Sequence, residues 1–346
     1  MFKRIIIAVS AIFFIFGISH AKERKGEVVF QVSVEAPENS KDVRVWVPYP
    51  VTDNEQTIED IQIDGNYTYS GIYGQKDGDL ALYAEWTKPE KERIITLTFK
   101  ASAMERVKLA PAGFKQRKDF PAKEDAKIPA EIQEFTKGSQ YIPTGGKIKE
   151  IALKVTKGKK TIHQKAKAVY DWVVENTFRD PDVKGCGTGE VDRMLAVKGG
   201  KCADISSVYV AIARAAGVPA REVWGLRLGK KPEDDITSGH HCWSEFYLPG
   251  YGWVPVDPAD VRKAMLANKL ELKDAETKKY RDYYFGAVDE YRIALSRGGK
   301  GRVLSPAQKD EPLSYFMYPY AEIDGKGVEF IAAHKELKYK ITFKEK

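Results

Sequence analysis

A predicted helix followed by an antiparallel hairpin, between residues 199 and 258, constrains the fold of this chain more than any other feature. The helix begins near Cys202, carries apolar residues at helical spacing and ends at Gly217, with Pro219 after it as a stop signal. One strand is predicted over residues 220–228, and two more flank a Pro-Gly-Tyr-Gly turn. Because such a helix buries its apolar stripe by packing on a sheet, the block predicts a helix-on-sheet core.

Cys202 lies in the first turn of this predicted helix, directly after Gly199, Gly200 and Lys201. The start of a helix carries a partial positive charge, which lowers the pKa of a thiol and directs free backbone N–H groups at a developing oxyanion. The two glycines leave room for a substrate backbone. A buried structural cysteine is the alternative, since cysteines in helices are commonly core residues. The helix alone leaves both interpretations open.

His241 and Asp257 occupy the two strands of the predicted hairpin, at equal distances from its turn. This spacing predicts that Asp257 lies directly across from His241, where a carboxylate holds one imidazole tautomer and stabilises the imidazolium. Alternation directs His240 and Cys242 to the opposite face, which makes Cys242 a core residue. Acyl transfer by a thiol requires a nucleophile, a base and an orienting acid, and the candidates are Cys202, His241 and Asp257.

Three segments of this block resemble the transglutaminase-like superfamily. Gly200-Lys201-Cys202-Ala203-Asp204 is similar to its nucleophile helix. Its His-x-Trp and Gly-Trp-x-x-x-Asp-Pro segments are similar to His241-Cys242-Trp243 and Gly252-Trp253-Val254-Pro255-Val256-Asp257-Pro258. The resemblance covers residues 149–260 and implies a papain-like core, with Cys202 as nucleophile, His241 as base and Asp257 as orienter. It also implies acyl transfer from an amide to water or to an amine.

The rest of the chain divides by pattern. Residues 27–107 alternate apolar and polar side chains between turn signals, which predicts a small antiparallel β-sandwich. Residues 108–148 are rich in proline, glycine and charge, and predict a linker with one short helix at 129–137. The predicted fold class is therefore α+β: a sandwich domain (22–107), the linker, and a transglutaminase-like catalytic domain (149–346) that includes the C-terminal strands.

The N-terminal segment predicts export. Lys3 and Arg4 precede an apolar run that is shorter than a spanning helix needs, and Ala21 closes the run, as in a secretory signal peptide. We expect cleavage after residues 1–21, no integral membrane segment in the mature chain, and a periplasmic or secreted protein. The formal net charge of +7 falls by two when Lys3 and Arg4 are removed. Such a mild, dispersed excess does not indicate nucleic acid as a partner.

Three cysteines, Cys186, Cys202 and Cys242, leave at least one thiol unpaired in an oxidising compartment. Where a disulfide forms, we expect it between Cys186 and Cys242, because a bridge to Cys202 would consume the nucleophile. A metal or redox site built from these thiols and the adjacent histidines is the alternative. The chain lacks a Cys-x-x-Cys motif, and alternation sends His240 and His241 to opposite faces, so we expect no metal and no cofactor.

The sequence favours a cysteine peptidase or amidase that hydrolyses peptide or isopeptide amides in a peptide, protein or cell-wall peptide substrate. An exported enzyme meets abundant water, whereas crosslinking needs a site that excludes it. A protein-glutamine transamidase is the first alternative. A noncatalytic transglutaminase-like binding module is the second, and the complete set of Cys202, His241 and Asp257 argues against it.

Overall fold

The structure is a computed structural model. The predicted signal peptide at residues 1–21 and residues 110–126 of the predicted linker lie outside the described residues. Among the helices that the structure describes, none has the length and apolar character needed to cross a lipid bilayer. The described residues are 22–75, 78–109, 127–329 and 335–346.

The α-helices of the described chain lie between residues 130 and 283, and strands lie before, between and after them. The strands are β1 (Glu23–Val34), β2 (Val43–Tyr49), β3 (Gln56–Gly65), β4 (Tyr69–Gly74), β5 (Leu80–Trp86), β6 (Arg93–Met104), β7 (Arg106–Val107), β8 (Phe178–Arg179), β9 (Gly199–Gly200), β10 (Ala220–Arg227), β11 (Glu233–Asp235), β12 (His240–Leu248), β13 (Gly252–Val256), β14 (Ala287–Val288), β15 (Arg292–Arg297), β16 (Tyr320–Ile323), β17 (Lys326–Glu329) and β18 (Leu337–Glu345). The α-helices are α1 (Ala130–Gln133), α2 (Gly146–Val155), α3 (Ile162–Asn176), α4 (Val191–Val197), α5 (Cys202–Ala215), α6 (Pro258–Asn268) and α7 (Ala275–Tyr283). A 3-10 helix, Glu134–Thr136, follows α1.

Two five-stranded antiparallel sheets form a sandwich. One has the strand order β11-β18-β1-β6-β3 and the other β17-β16-β2-β5-β4. In β1 the side chains of Val28, Phe30 and Val32 are buried, and the residues between them are more exposed. Buried side chains of both sheets belong to one apolar cluster, so the two sheets face each other across a common core. The predicted antiparallel β-structure at the N-terminus is confirmed.

Strands from the C-terminal part of the chain complete both sheets. β18 pairs with β1, with Val28 opposite Phe343, and β16 pairs with β2, with Val45 opposite Ala321. Strands that we predict together with residues 149–346 therefore pair with strands near the N-terminus. The domain boundaries themselves, after residues 107 and 148, stay a prediction.

The central helix α5 packs on a third sheet, which has the antiparallel strand order β13-β12-β10-β15. Every residue of α5 from Cys202 to Ala213 is buried. The helix contacts β10 and β12 as well as helices α2, α3, α4 and α6. A helix that is covered on all sides lies at the centre of its domain. The predicted α+β class, with a helix packed on an antiparallel sheet, is confirmed.

The β12–β13 hairpin differs from the predicted one in register. Leu248 pairs with Gly252, so the hairpin is centred one residue further along the chain than predicted. The ladder ends at Val256, and Asp257 is the N-cap of α6. Asp257 therefore does not lie directly across from His241, and the predicted cross-strand pair is wrong. A three-residue loop, residues 249–251, closes the hairpin.

Candidate active site

Cys202 is the first residue of α5 and lies at a pocket of about 350 Å³. Its side chain is buried, with 2% of the residue exposed. His240 and His241, which begin β12, line the same pocket. The fold thus brings the candidate nucleophile and the candidate base to one site.

Backbone contacts fix the start of α5. The buried carboxylate of Asp204 accepts the N–H of Lys201 at 3.0 Å and the N–H of Gly189 at 2.9 Å. The N–H of Ala203 donates to the carbonyl of Cys186 at 2.9 Å. The sequence predicts free N–H groups at this helix start, but the N–H of Ala203 is already used and is not available to an oxyanion.

The glycine-rich loop before α4 packs against Asp204 of α5, and this contact requires glycine at position 187. Gly187 has a φ of +89°, and a Cβ there would lie 1.9 Å from Oδ2 of Asp204. The hydroxyl of Tyr315 donates to the carbonyl of Gly187 at 2.6 Å and holds the loop from the other side. These contacts keep Cys186 beside Cys202.

His241 forms a hydrogen bond with Asp257, 2.7 Å from Nε2 to Oδ2. Both side chains are buried. Because Nε2 faces the carboxylate, Nδ1 is the ring nitrogen left for the thiol of Cys202. Asp257 reaches His241 from the start of α6, where its other oxygen accepts the N–H of Asp260 at 2.8 Å. The structure therefore brings His241 and Asp257 together through a helix cap.

A cluster of buried charges lies behind Asp257. Arg292, from β15, donates to Asp257, to Asp260 at 2.7 Å and to Asp289 at 2.7 Å. Arg227, from β10, donates to Asp260 at 2.5 Å. Two guanidinium groups thus face three carboxylates. The cluster lacks one positive charge as long as the neighbouring imidazole is neutral.

The charge cluster acts on His241. Burial and Arg227 lower the pKa of His241, Asp260 and Asp257 raise it, and the balance lies above the ordinary value. A protonated His241 completes the charge balance of the cluster. Sequence reasoning missed Arg292, whose only signal is an arginine directly before the apolar residues Ile293, Ala294 and Leu295.

Cys186 and Cys242 lie next to Cys202. The three Sγ atoms are within 4.8 Å of one another, and all three thiols are free. The thiol of Cys186 donates to the carbonyl of His240 at 3.3 Å. Burial works to raise the pKa of Cys202, but hydrogen bonds with Cys186, Cys242 and His241 lower it well below its usual value. Cys202 is therefore the thiol of this group that ionises most readily.

Two groups of described residues place enough ligand atoms close together to hold a metal ion. One consists of His241, Asp257 and Asp260, but Arg292 already binds both carboxylates, and a metal cation would have to displace its guanidinium. The other consists of the three cysteines, whose sulfur atoms suit a soft ion such as Zn²⁺. Sequence reasoning named these thiols, together with the adjacent histidines, as an alternative metal or redox site and set it aside because of the faces of the histidines, but the three thiols lie together without them.

His240 differs sharply from its neighbour His241. Its ring packs against Tyr318, Tyr339 and Phe30, with centroid distances of 4.4, 5.5 and 6.3 Å. Neither ring nitrogen has a hydrogen-bond partner within the described ranges. Burial lowers the pKa of His240 to about 3. His240 is therefore neutral at physiological pH, and no carboxylate among the described residues orients it.

Fold and site together define a class of protein: a transglutaminase-like core with a cysteine at the start of its central helix and a His–Asp pair beside it. The chain belongs to the transglutaminase-like superfamily. The model of that superfamily matches residues 149–258, which include Cys202, His241 and Asp257. The predicted family is confirmed.

Relatives of the chain differ widely in how much of their length they share with it. An uncharacterized protein of Haemophilus influenzae is 33% identical over 321 residues, which cover 87% of this chain and 86% of that protein. A protein-glutamine gamma-glutamyltransferase of Pseudomonas aeruginosa is 35% identical over 75 residues, 20% of this chain but only 11% of that protein. The solved structure of a Cytophaga hutchinsonii protein, provisionally described as a cysteine protease, has a TM-score of 0.57 at 12% identity, over 93% of this chain and 91% of that one. This last likeness concerns the fold alone.

Proposed function

We propose that the chain is a thiol acyl-transfer enzyme that hydrolyses peptide or isopeptide amides, with Cys202 as nucleophile, His241 as base and Asp257 as orienter. The observation that carries the proposal is the 2.7 Å hydrogen bond between His241 and Asp257, at a pocket that Cys202 also lines. A thiol beside an imidazole that a carboxylate orients is suited to nucleophilic catalysis.

The proposed reaction passes through a thioester. The Cys202 thiolate attacks the amide carbon and forms a C–S bond, while the carbonyl opens to an oxyanion. When the intermediate collapses, the C–N bond breaks and the Nδ1 proton of His241 passes to the leaving amine. Water then attacks the thioester and gives a proton to His241. The C–S bond breaks, the carboxylic acid leaves, and the thiolate–imidazolium pair is restored.

Water is the acyl acceptor that the pocket favours. The pocket opens to solvent, and its lining includes the hydroxyl groups of Thr237 and Ser238, so water can reach the thioester. A transamidase would need to exclude water while an amine enters. The named activity of the Pseudomonas relative supports transamidation as the second candidate. Product masses with and without an added primary amine distinguish the two: the amine becomes incorporated only by a transamidase.

We propose that this activity takes place in the periplasm or outside the cell, on a peptide, protein or cell-wall peptide. The support is the leader pattern that ends at Ala21, which lies outside the described residues. N-terminal sequencing of the exported protein tests this proposal. The mature chain should begin at Lys22, and a retained leader would contradict it.

Iodoacetamide labelling across a pH series, read by peptide mass, tests the nucleophile. Cys202 should react below neutral pH, well before Cys186 and Cys242, because the pKa values of those two thiols are raised well above the usual value. Hydrogen bonding with Cys202 is the largest cause for Cys186, and burial is the largest cause for Cys242. Faster labelling of either of them, with Cys202 inert, would overturn the assignment.

Turnover of a peptide mixture tests the roles of the two histidines. His241→Ala should lower turnover by about 10³-fold or more, because both proton transfers pass through His241. His240→Ala is the matched control and should cost far less, since its neutral ring packs among aromatic side chains. Equal losses would refute the assignment. Tight peptide binding with no product, in the wild type, would instead indicate a binding module.

A further inference from the structure

The pocket around Cys202 is cationic. Its lining includes Arg179, Lys201, Arg227 and Lys263, which come from four different parts of the fold. Aspartate and glutamate are absent from the described residues that line it. Several cations around one concave surface, with no acid between them, create a positive potential that concentrates anions.

Most of these cations have no counter-ion among the described residues. Arg227 is bound by Asp260 at 2.5 Å. By contrast, Arg179, Lys201 and Lys263 form no ion pair with any residue that the structure describes. On an ordinary solvated surface, charges of both signs are interspersed. Three unpaired cations on one pocket wall are a different arrangement, and one that suits a carboxylate ligand.

Lys263 has a lowered pKa, to which neighbouring cations contribute. It lies on α6 and lines the pocket, and part of its side chain reaches solvent. Partial burial and the nearby positive charge of Arg227 lower the pKa of Lys263, Asp260 raises it and Arg179 lowers it further, and the balance lies below the ordinary value. A cation in such surroundings gains electrostatic energy when an anion binds beside it.

The nucleophile does not account for these charges. Its thiolate carries one negative charge, whereas Arg179, Lys201 and Lys263 together carry three positive charges. The three unpaired cations therefore exceed what Cys202 needs. Their excess is available to a negatively charged substrate.

We propose that the pocket selects acidic peptides, that is, acyl donors with carboxylate groups on the residues next to the scissile amide. The inference rests on the proposed function, because it concerns the same pocket. Lys201, directly before the nucleophile in sequence, is suited to the carboxylate nearest the amide. Lys263 and Arg179 line the same pocket and are suited to further carboxylates of the peptide.

Alkylation of Cys202 by two small reagents tests this charge preference without a substrate. Iodoacetate is an anion and iodoacetamide is neutral, yet both react with the same thiolate. The ratio of their rates therefore does not depend on the pKa of Cys202. The rate with iodoacetate divided by the rate with iodoacetamide is measured on the full mature chain and on free cysteine in the same buffer. The first quotient divided by the second is the normalised ratio. It should be about 10 at low salt and should approach 1 at about 1 M salt.

Variants assign the preference to the pocket. Lys263→Gln and Arg179→Gln should each lower the normalised ratio by about threefold, and Lys263→Arg should keep it near the wild-type value. Lys154→Gln is the matched control, because it removes an exposed lysine of α2 that does not line the pocket. Its ratio should equal that of the wild type. An equal fall in the control and the pocket variants would overturn the proposal.

The outcomes separate this inference from the proposed function. If neither reagent alkylates Cys202, the nucleophile assignment fails, and the inference fails with it. If both reagents alkylate Cys202 and the normalised ratio is about 1 in the wild type, the charge preference fails while the proposed function stands. A matched pair of peptides gives a second readout. The peptide with glutamate beside the scissile amide should have a kcat/KM about tenfold above its glutamine counterpart, and equal values would overturn the preference.

Discussion

Replacing Asp257 by asparagine tests how much the reactivity of Cys202 owes to the charge of Asp257. Asparagine is nearly the same size, and its oxygen can still accept the N–H of Asp260 as the N-cap of α6. The change therefore removes one negative charge beside His241 and keeps the local backbone. We expect the pKa of His241 to fall. The Cys202 thiolate, which the imidazolium stabilises, should then form only at higher pH.

The size of this effect follows from the geometry. Two unit charges with centres about 4 Å apart, at an effective dielectric constant of about 20, interact by about 4 kcal/mol. At about 1.4 kcal/mol per pKa unit, this interaction corresponds to about 3 units. Arg292 donates to the same oxygen of Asp257 and offsets part of its charge. We therefore expect about half of the full value, a rise of about 1.5 pH units in the midpoint of thiolate formation.

The assay is the pH dependence of Cys202 alkylation by iodoacetamide. Asp289→Asn is the matched control, because Asp289 also binds Arg292 but makes no contact with His241 within the described structure. The control should move the midpoint by less than about 0.5 pH units. An unchanged or lower midpoint in Asp257→Asn, or an equal rise in both variants, would show that Asp257 does not control the thiol through His241.

Three further predictions concern the surroundings of the site. The folded-state pKa of His240 is about 3 and its ordinary value is 6.5, so the unfolded state binds the extra proton between these values. The free energy of unfolding should therefore fall as pH drops through this window, by up to about 1.4 kcal/mol per pH unit, and His240→Phe should remove this part of the slope in urea titrations. Where a disulfide forms, non-reducing peptide maps should place it between Cys186 and Cys242, whose sulfur atoms are already within 4.8 Å of each other. A bridge to Cys202 in an active preparation would contradict this prediction. Arg292→Met should lower the free energy of unfolding by about 3–5 kcal/mol, because it leaves buried carboxylates without their shared partner, and a loss below about 1 kcal/mol in urea titrations would argue against the charge cluster.

Local sequence signals predict the elements of the core well. Thr161 to Asn176 has apolar residues at helical spacing, and α3 runs from Ile162 to Asn176 with Thr161 as its N-cap. The alternation in residues 28–34 predicts β1, whose alternate side chains are buried. In these segments, period and capping chemistry agree with the tertiary structure, so the prediction succeeds.

Local sequence signals do not predict contacts between residues from distant parts of the chain. Alternation near the C-terminus predicts the strand β18, but does not indicate that it pairs with β1. Arg292 joins the site only because β15 lies beside β10 in the third sheet. Cys186 reaches Cys202 through a loop in which Gly187 meets Asp204 too closely for any side chain. Sheet order and loop packing decide these contacts, and neither has a period that can be read from sequence.

The position of Asp257 follows from the residue after it. Aspartate is a favoured N-cap, and proline is favoured at the first helical position, so Asp257-Pro258 ends β13 and begins α6 in one step. An N-cap aspartate directs one oxygen at the helix backbone, here the N–H of Asp260. The other oxygen is then held towards Arg292 and His241. The contact that orients the imidazole is thus a consequence of where the helix begins, and it does not need the cross-strand register that the hairpin spacing predicts.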